Sequence, residues 1–123
     1  MKLTDVDVQP ADDRALVVRY EWEGSFPERG SVLWALYVDG EGGQSHQLGY
    51  KLVDGQHSSH FTFDFTRGRQ RQVVANFDLD ADARTLTARF PRPPFEGMGA
   101  VKWRAVLSLD SVDGESFVGE LPG

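Results

Sequence analysis

Apolar side chains recur at every second position along most of this chain, and the alternating stretches end at Gly, Pro or Asp. Leu16, Val18, Tyr20 and Trp22, for example, are each two residues apart. A period of two places alternate side chains on one face of a β-strand, whereas no stretch shows the period of an amphipathic helix. The pattern therefore predicts an all-β fold.

Nine strands are predicted, at residues 3–8, 15–23, 31–39, 47–53, 58–65, 71–79, 84–90, 100–109 and 115–119. Residues 31–39 are apolar on both parities, which indicates a central strand or one covered on its second face. An open single sheet would leave one apolar face in water. We therefore expect an antiparallel two-sheet β-sandwich, immunoglobulin-like or jelly-roll-like, of about eight or nine strands, with a closed β-barrel as the alternative.

The length of 123 residues and the composition fit one domain that spans residues 1–123. No apolar run approaches the ~20 residues that cross a bilayer, so no membrane span is expected. The chain has no cysteine, which excludes disulfides, thiolate metal sites and cysteine nucleophiles. No hydrophobic segment follows residues 1–5, so no signal peptide is predicted, and the compartment, cytoplasmic or extracytoplasmic, stays open.

The formal net charge of −6 argues against binding to nucleic acid, where affinity comes largely from neutralising phosphates. Lysine occurs only at Lys2, Lys51 and Lys102, whereas arginine is frequent. We interpret the excess of arginine as coding bias towards GC-rich codons, and we expect a bacterial protein.

The aromatic residues invite a carbohydrate-binding interpretation, because flat rings can stack on sugars, but their parity favours packing. Trp34 and Trp103 share strand faces with aliphatic residues, and we predict that both are buried between the sheets. The same core interpretation covers three phenylalanines that line one face, Phe61, Phe63 and Phe65. Trp22, at the end of its strand, is the tryptophan that could reach the rim.

No metal or other cofactor is predicted. Asp78, Asp80 and Asp82 form a D-x-D-x-D run, but a calcium loop of the EF-hand type needs Gly and Glu where this chain has Ala83 and Arg89. We interpret the run as an acidic turn. The spacing of the histidines in a strand or turn does not place two rings on one metal ion.

Loop parity indicates where a binding site would lie. If every connection reverses the chain, the loops at residues 9–14, 40–46, 66–70 and 91–99 gather at one end of the sandwich. The loops at residues 24–30, 54–57, 80–83 and 110–114 gather at the other end, which is mainly acidic. The first end combines arginines with apolar loop residues, as binding edges do. The candidate ligand-binding residues there are His46, Arg67, Arg69, Arg92, Phe95 and Met98.

Three segments near the start of the chain are LTDVDV at residues 3–8, ALVVRY at 15–20 and the strand ending in YVDG at 37–40. Together they resemble the opening of DOMON-like and family 9 carbohydrate-binding sandwiches. Their closing hairpin region is similar to RTLTARFP at 84–91 followed by VKW at 101–103. The resemblance implies a β-sandwich that binds haem or sugars. Haem-binding members use a Met and a His as axial ligands, and here Met98 and His46 fall at the same predicted end.

No nucleophile elbow, P-loop or dinucleotide-binding motif follows a strand in this sequence. We therefore expect a non-catalytic binding or protein-interaction module, whose ligand is anionic with an apolar part or is the acidic surface of a partner protein. A carbohydrate-binding domain is the first alternative, and a haem- or metal-binding sandwich is the second.

Overall fold

The structure is a computed structural model that describes residues 1–11, 15–73, 77–91 and 100–121. Its strands are β1 Lys2–Pro10, β2 Ala15–Glu23, β3 Ser31–Gly40, β4 Ser45–Val53, β5 Gln56–Asp64, β6 Arg69–Gln72, β7 Phe77–Asp80, β8 Thr85–Pro91, β9 Val101–Leu109, β10 Val112–Asp113 and β11 Phe117–Leu121. In these described ranges, no helix is long and apolar enough to cross a membrane.

The strands form two antiparallel sheets. The four-stranded sheet has the order β1-β2-β8-β7, and the seven-stranded sheet has the order β10-β9-β3-β4-β5-β6, with β11 also paired to β9. The predicted two-sheet sandwich is confirmed, and the barrel alternative is wrong because both sheets end in strands with a single neighbour. β3 is central, as its apolar character on both parities predicts.

The predicted strand at residues 71–79 is instead two strands in different sheets. β6 pairs with β5 in the seven-stranded sheet, whereas β7 pairs with β8 in the four-stranded sheet. Alternation identifies a strand but does not encode which sheet it joins, so the change of sheet was invisible in the sequence. The last strand, predicted at residues 115–119, is β11, and a short additional strand, β10, lies in the segment predicted as a loop at 110–114, so the described residues form eleven strands and not eight or nine.

The core lies between the sheets and is built from one parity of each long strand. Val18 and Leu86 of the four-stranded sheet are fully buried, as are Trp34 and Leu36 of the seven-stranded sheet. Burial of such side chains stabilises the fold by roughly 1.5–3 kcal/mol each. The prediction for Trp34 is confirmed, and Trp103 packs against the core but stays partly exposed at its edge.

Trp22 and Trp34 are in direct contact, with ring centroids 5.3 Å apart. Trp22 is 4% exposed, so it does not reach the rim. Phe26, in the connection from β2 to β3, packs against both tryptophans at 5.4 Å and 6.0 Å. This aromatic cluster joins the two sheets where β3 begins.

Two aspartates fix the start of β3 from both sides. Asp54 Oδ1 accepts a hydrogen bond from Gly30 N at 2.7 Å, and Asp110 Oδ1 accepts one from Ser31 N at 2.8 Å. The amides of Asp54 and Asp110 donate in turn to the carbonyls of Gly30 and Ser31, both at 2.9 Å. The acidic loops therefore do meet at one end, where these two carboxylates bind backbone amides.

The space beside Gly30 predicts a large penalty for a side chain there. Gly30 has a φ of +93°, and a Cβ would lie 2.5 Å from Asp110 Oδ1. We expect Gly30→Ala to lower the free energy of unfolding by about 2–4 kcal/mol in urea titrations, since strain at positive φ adds to the loss of the Asp110 hydrogen bond.

Gly55→Ala is the matched control. Gly55 also has a positive φ, +76°, but nothing lies within 4 Å of the position of its Cβ. We expect a loss of about 1–2 kcal/mol from backbone strain alone. Equal losses at the two positions would show that the contact with Asp110 contributes nothing.

Candidate functional site

Strands β4, β5 and β6 bring three of the predicted site residues together around Asp64. His46 is the register partner of Asp64 on β4, and Arg69 is its partner on β6. Arg67 lies in the β5–β6 turn, with its Nε 3.9 Å from Asp64 Oδ2. The remaining three predicted site residues, Arg92, Phe95 and Met98, lie outside the described residues.

Asp64 also shapes the turn that carries the arginines. Its Oδ1 accepts hydrogen bonds from the amides of Thr66 at 2.9 Å and Arg67 at 3.1 Å. The Arg67 side chain is 74% exposed. Arg69 is exposed as well. Both guanidinium groups are therefore available to a ligand in solution.

His46 is only 4% exposed, so its ring does not form part of the surface. Burial lowers the pKa of His46, and the nearby Arg67 charge acts in the same direction, while Asp64 opposes both. The imidazole is therefore neutral at neutral pH. It packs behind the arginine turn and does not contact solvent beside it.

β5 turns its aromatic side chains away from the core. His60 faces inward, because its ring contacts Phe90 of the four-stranded sheet at a centroid distance of 4.6 Å. Phe61 and Phe63 have the opposite parity and point to the outer face of the seven-stranded sheet. Phe65, directly after β5, stacks there as well. Phe61 is buried, at 8% exposure, but it lies outside the cluster between the sheets, and the interpretation as core residues is wrong for Phe63 and Phe65, which stay partly or largely exposed.

A β-bulge explains this reversal. The β4–β5 hairpin begins by pairing Val53 with Gln56 and Leu52 with His57, but Lys51 then pairs with Ser59. The register shift between Lys51 and Leu52 moves every later residue of β5 by one position. Because side chains alternate with a period of two, a shift of one residue exchanges the two faces of the strand.

A row of five side chains crosses the outer face of the seven-stranded sheet. The register partners, taken from β9 through β3, β4 and β5 to β6, are Arg104, Tyr37, Gln47, Phe63 and Gln70. With strands ~4.8 Å apart, the row is about 19 Å long. Along the row, the polar side chains of Arg104, Gln47 and Gln70 alternate with the aromatic rings of Tyr37 and Phe63.

The members of this row contact one another and Phe65. The Arg104 guanidinium lies 4.6 Å from the centroid of the Tyr37 ring, a cation–π distance. Gln47 Nε2 donates to the Tyr37 hydroxyl at 3.4 Å. Phe65 stacks on Tyr37 at 6.3 Å and 27°, and meets Phe63 edge-on at 4.9 Å. We call Tyr37, Phe61, Phe63 and Phe65 the aromatic face.

The next row supplies a flat floor beside the aromatic face. Ala35 and Gly49 are register partners there, and both are buried. The Phe61 ring lies across Gly49, and a Cβ at position 49 would collide with it. Gly49 therefore lets Phe61 lie flat against the sheet, a known way for an aromatic ring to shield a strand glycine.

The alternation of side chains in the sequence did not identify Tyr37, Gln47 and Arg104 as candidate site residues. Tyr37 lies on a strand that is apolar on both parities, so no alternation marks its outer face. The clearest sequence signal for the outer face lies in residues 57–62. There His60 and Thr62 lie on one face of the strand, and Phe61 lies on the other. Only the bulge decides which of these two sets faces outward.

A second aromatic cluster lies on the inner side, where β5 approaches the four-stranded sheet. His60 Nε2 donates to the carbonyl of Arg89 on β8 at 2.9 Å, which is a hydrogen bond between the sheets. Tyr50 packs against His60 at 5.8 Å and against Phe77 at 4.6 Å. Burial raises the pKa of Tyr50 to about 12, so its hydroxyl stays protonated.

Among the described residues, no three His, Asp or Glu side chains are grouped so that they could hold a metal ion. In the D-x-D-x-D run, Asp80 Oδ1 accepts a hydrogen bond from Ala83 N at 2.9 Å and so closes the β7–β8 turn. Of the two axial haem ligands implied by the resemblance, His46 is buried beside Asp64, and Met98 lies outside the described residues.

No family model, no curated protein and no solved structure matches this chain. The resemblance to DOMON-like and family 9 carbohydrate-binding sandwiches therefore stays a prediction.

The buried His60 predicts a loss of stability in mild acid. In the folded protein, burial lowers the pKa of His60 below its usual value of 6.5. The hydrogen bond to the Arg89 carbonyl raises this pKa, and the neighbouring His57 lowers it. The unfolded chain therefore binds more protons than the folded one below about pH 6.5. We expect the contribution of His60 to the free energy of unfolding to be complete above that pH and to decrease as the pH falls towards 5.

His60→Phe should reduce this pH dependence, measured by urea titration at a series of pH values. At pH 7.5 we expect it to lower the free energy of unfolding by about 1–3 kcal/mol, because the hydrogen bond between the sheets is lost. His46 also has a lowered pKa and should account for part of the dependence that remains. His57→Gln, at an exposed ring, serves as the control and should keep most of it. An unchanged profile in His60→Phe would assign the effect to another group.

Proposed function

We propose that this chain is a non-catalytic binding module that contacts its ligand or partner through the aromatic face. The outward turn of β5 carries the proposal, because it leaves Phe63 half-buried and Phe65 48% exposed. Contiguous apolar groups on a water-facing surface are typical of interaction sites. Strand-borne aromatic rings also lose little conformational entropy on binding, since neighbouring strands already hold them.

The charges around the aromatic face favour an anionic ligand with an apolar part, or an acidic surface of a partner protein. Arg104 lies over Tyr37, and Arg67 follows Phe65 by two residues. Lys51 is on the same outer parity of β4 as Gln47. Guanidinium groups bind carboxylate or phosphate in a bidentate manner, while the rings supply apolar area. In this proposal Arg67 binds at the rim of the aromatic face. Arg69 has the parity of Asp64, opposite to that of Phe63, and its role stays a prediction, as do those of Arg92, Phe95 and Met98.

A carbohydrate ligand is the second candidate, and one observation favours it. Along the row that crosses the sheet, the amides of Gln47 and Gln70 alternate with the rings of Tyr37 and Phe63. A sugar presents an apolar ring face that packs on aromatic rings and hydroxyls that pair with amides. This candidate uses the aromatic face and does not require an exposed tryptophan.

A titration followed by amide NMR tests the proposal and separates the two candidates. The probes are a soluble peptide of alternating Glu and Phe and, separately, soluble cello- and xylo-oligosaccharides. We expect one class of probe to shift the amides of Tyr37, Gln47, Phe63 and Phe65. Shifts confined to the acidic loops around Asp54 and Asp110, or none with any probe, would contradict the proposal.

Phe65→Ala should weaken binding of the active probe by about tenfold or more, because an aromatic contact at the centre of an interface is worth roughly 1–2 kcal/mol. Its effect on the free energy of unfolding should stay below about 1 kcal/mol, since the ring is 48% exposed. Phe77→Ala is the matched control, at a phenylalanine that is 38% exposed on the other sheet. Equal weakening by both variants would show that the aromatic face is not the contact surface.

A further inference from the structure

The edge strands of the two sheets differ in how well they are protected against pairing with another chain. β1 carries a bulge between Leu3 and Asp5, and it ends at Pro10. β6 and β7 have four residues each, with the sequences RQRQ and FDLD. Bulges, prolines, charges and short length are the features that keep sheet edges from pairing.

β11 is also short, at five residues, but it has no bulge and no proline. It pairs with β9 in unbroken register from Phe117 to Leu121, and its sequence FVGEL contains one charge, Glu120. Val118, at its middle, is 74% exposed. Within the described chain, β9 is its single strand neighbour, so its other edge offers unpaired backbone groups. An unbulged strand edge with an exposed apolar residue at its middle is suited to accept one more strand.

We propose that β11 pairs with β11 of a second copy of this chain, antiparallel about a two-fold axis at Val118. In this register Val118 lies opposite its own copy, and Ser116 lies opposite Glu120. The contact is self-complementary, as a two-fold interface requires. It joins the two seven-stranded sheets into one continuous sheet.

Charge complementarity favours a second copy over an unrelated strand. Arg104 Nη1 donates to Ser116 Oγ at 3.4 Å, so its guanidinium lies beside the position that faces Glu120 of the other copy. Glu120 and Arg104 both have the outer parity of the sheet. The register therefore places a carboxylate next to a guanidinium twice, once on each side of the axis.

The same register also brings side chains of the two copies into contact on the inner face of the sheet. Phe117 lies opposite Gly119 of the other copy, and the Trp103 ring lies across Gly119 within each chain, where a Cβ would collide with it. Phe117 and Trp103 are both only partly buried. Each Phe117 would cover the exposed edge of the partner's Gly119 and Trp103 ring, as aromatic rings shield strand glycines.

Sedimentation velocity over a concentration series tests the proposal. Two five-residue strands form a small interface, so we expect a dimer that dissociates on dilution. Val118→Lys should be monomeric at the concentrations where the unaltered protein is dimeric. Val112→Lys is the matched control and should stay dimeric, because Val112 is 71% exposed on β10 but lies beyond the paired register. Thermal melting verifies that each variant is folded.

Charge reversal and cross-linking test the register itself. Glu120→Arg or Arg104→Glu alone should weaken the dimer, and the two together should restore it. Since the chain has no cysteine, Val118→Cys should form a disulfide-linked dimer under mild oxidation, because directly opposed strand residues have neighbouring Cβ atoms. Val112→Cys should not. A monomer at every concentration, a dimer that survives Val118→Lys, or equal cross-linking by the two cysteine variants would overturn the proposal.

Discussion

β3 is paired along nearly its whole length with β4 on one side and β9 on the other, and the remaining strands are arranged around it. The carboxylates of Asp54 and Asp110 hold its first residues on both sides. From this fixed start, Trp34 projects inward and meets Trp22 of the four-stranded sheet. The alignment of the two sheets therefore depends on where β3 begins, and this position is set by backbone hydrogen bonds to two side chains.

The bulge in the β4–β5 hairpin has consequences on both faces of the sheet. On the inner face it brings His60 into the core, where the ring is satisfied at Nε2 by the Arg89 carbonyl and has no partner for Nδ1 among the described residues. On the outer face it presents Phe61, Phe63 and Phe65. A hairpin that simply continued the pairing of its first residues would bury the phenylalanines and expose the histidine. The polar group in the core and the aromatic face thus have a common origin.

The sequence was sufficient for the fold class, because alternation such as that of Leu16, Val18, Tyr20 and Trp22 depends only on local geometry. It also identified β3 as central. It could not place β7, since alternation does not show that this strand pairs with β8 in the four-stranded sheet and does not continue β6. The candidate site was predicted in part: loop parity brings His46, Arg67 and Arg69 together, but a single bulged residue decided the outward face of β5, and periodicity does not register such a shift.

The position of β3 also bears on how the chain acquires its structure. Its first neighbour, β4, follows across a short turn, whereas its second neighbour, β9, begins only at Val101. Closing the large intervening loop costs chain entropy before the β3–β9 contacts can compensate for it. All-β domains dominated by such distant pairings fold in roughly milliseconds to seconds. Until β9 arrives, a β3–β4–β5 meander leaves one edge of β3 without a strand partner, so the return of β9 closes an edge that could otherwise pair with another chain during folding.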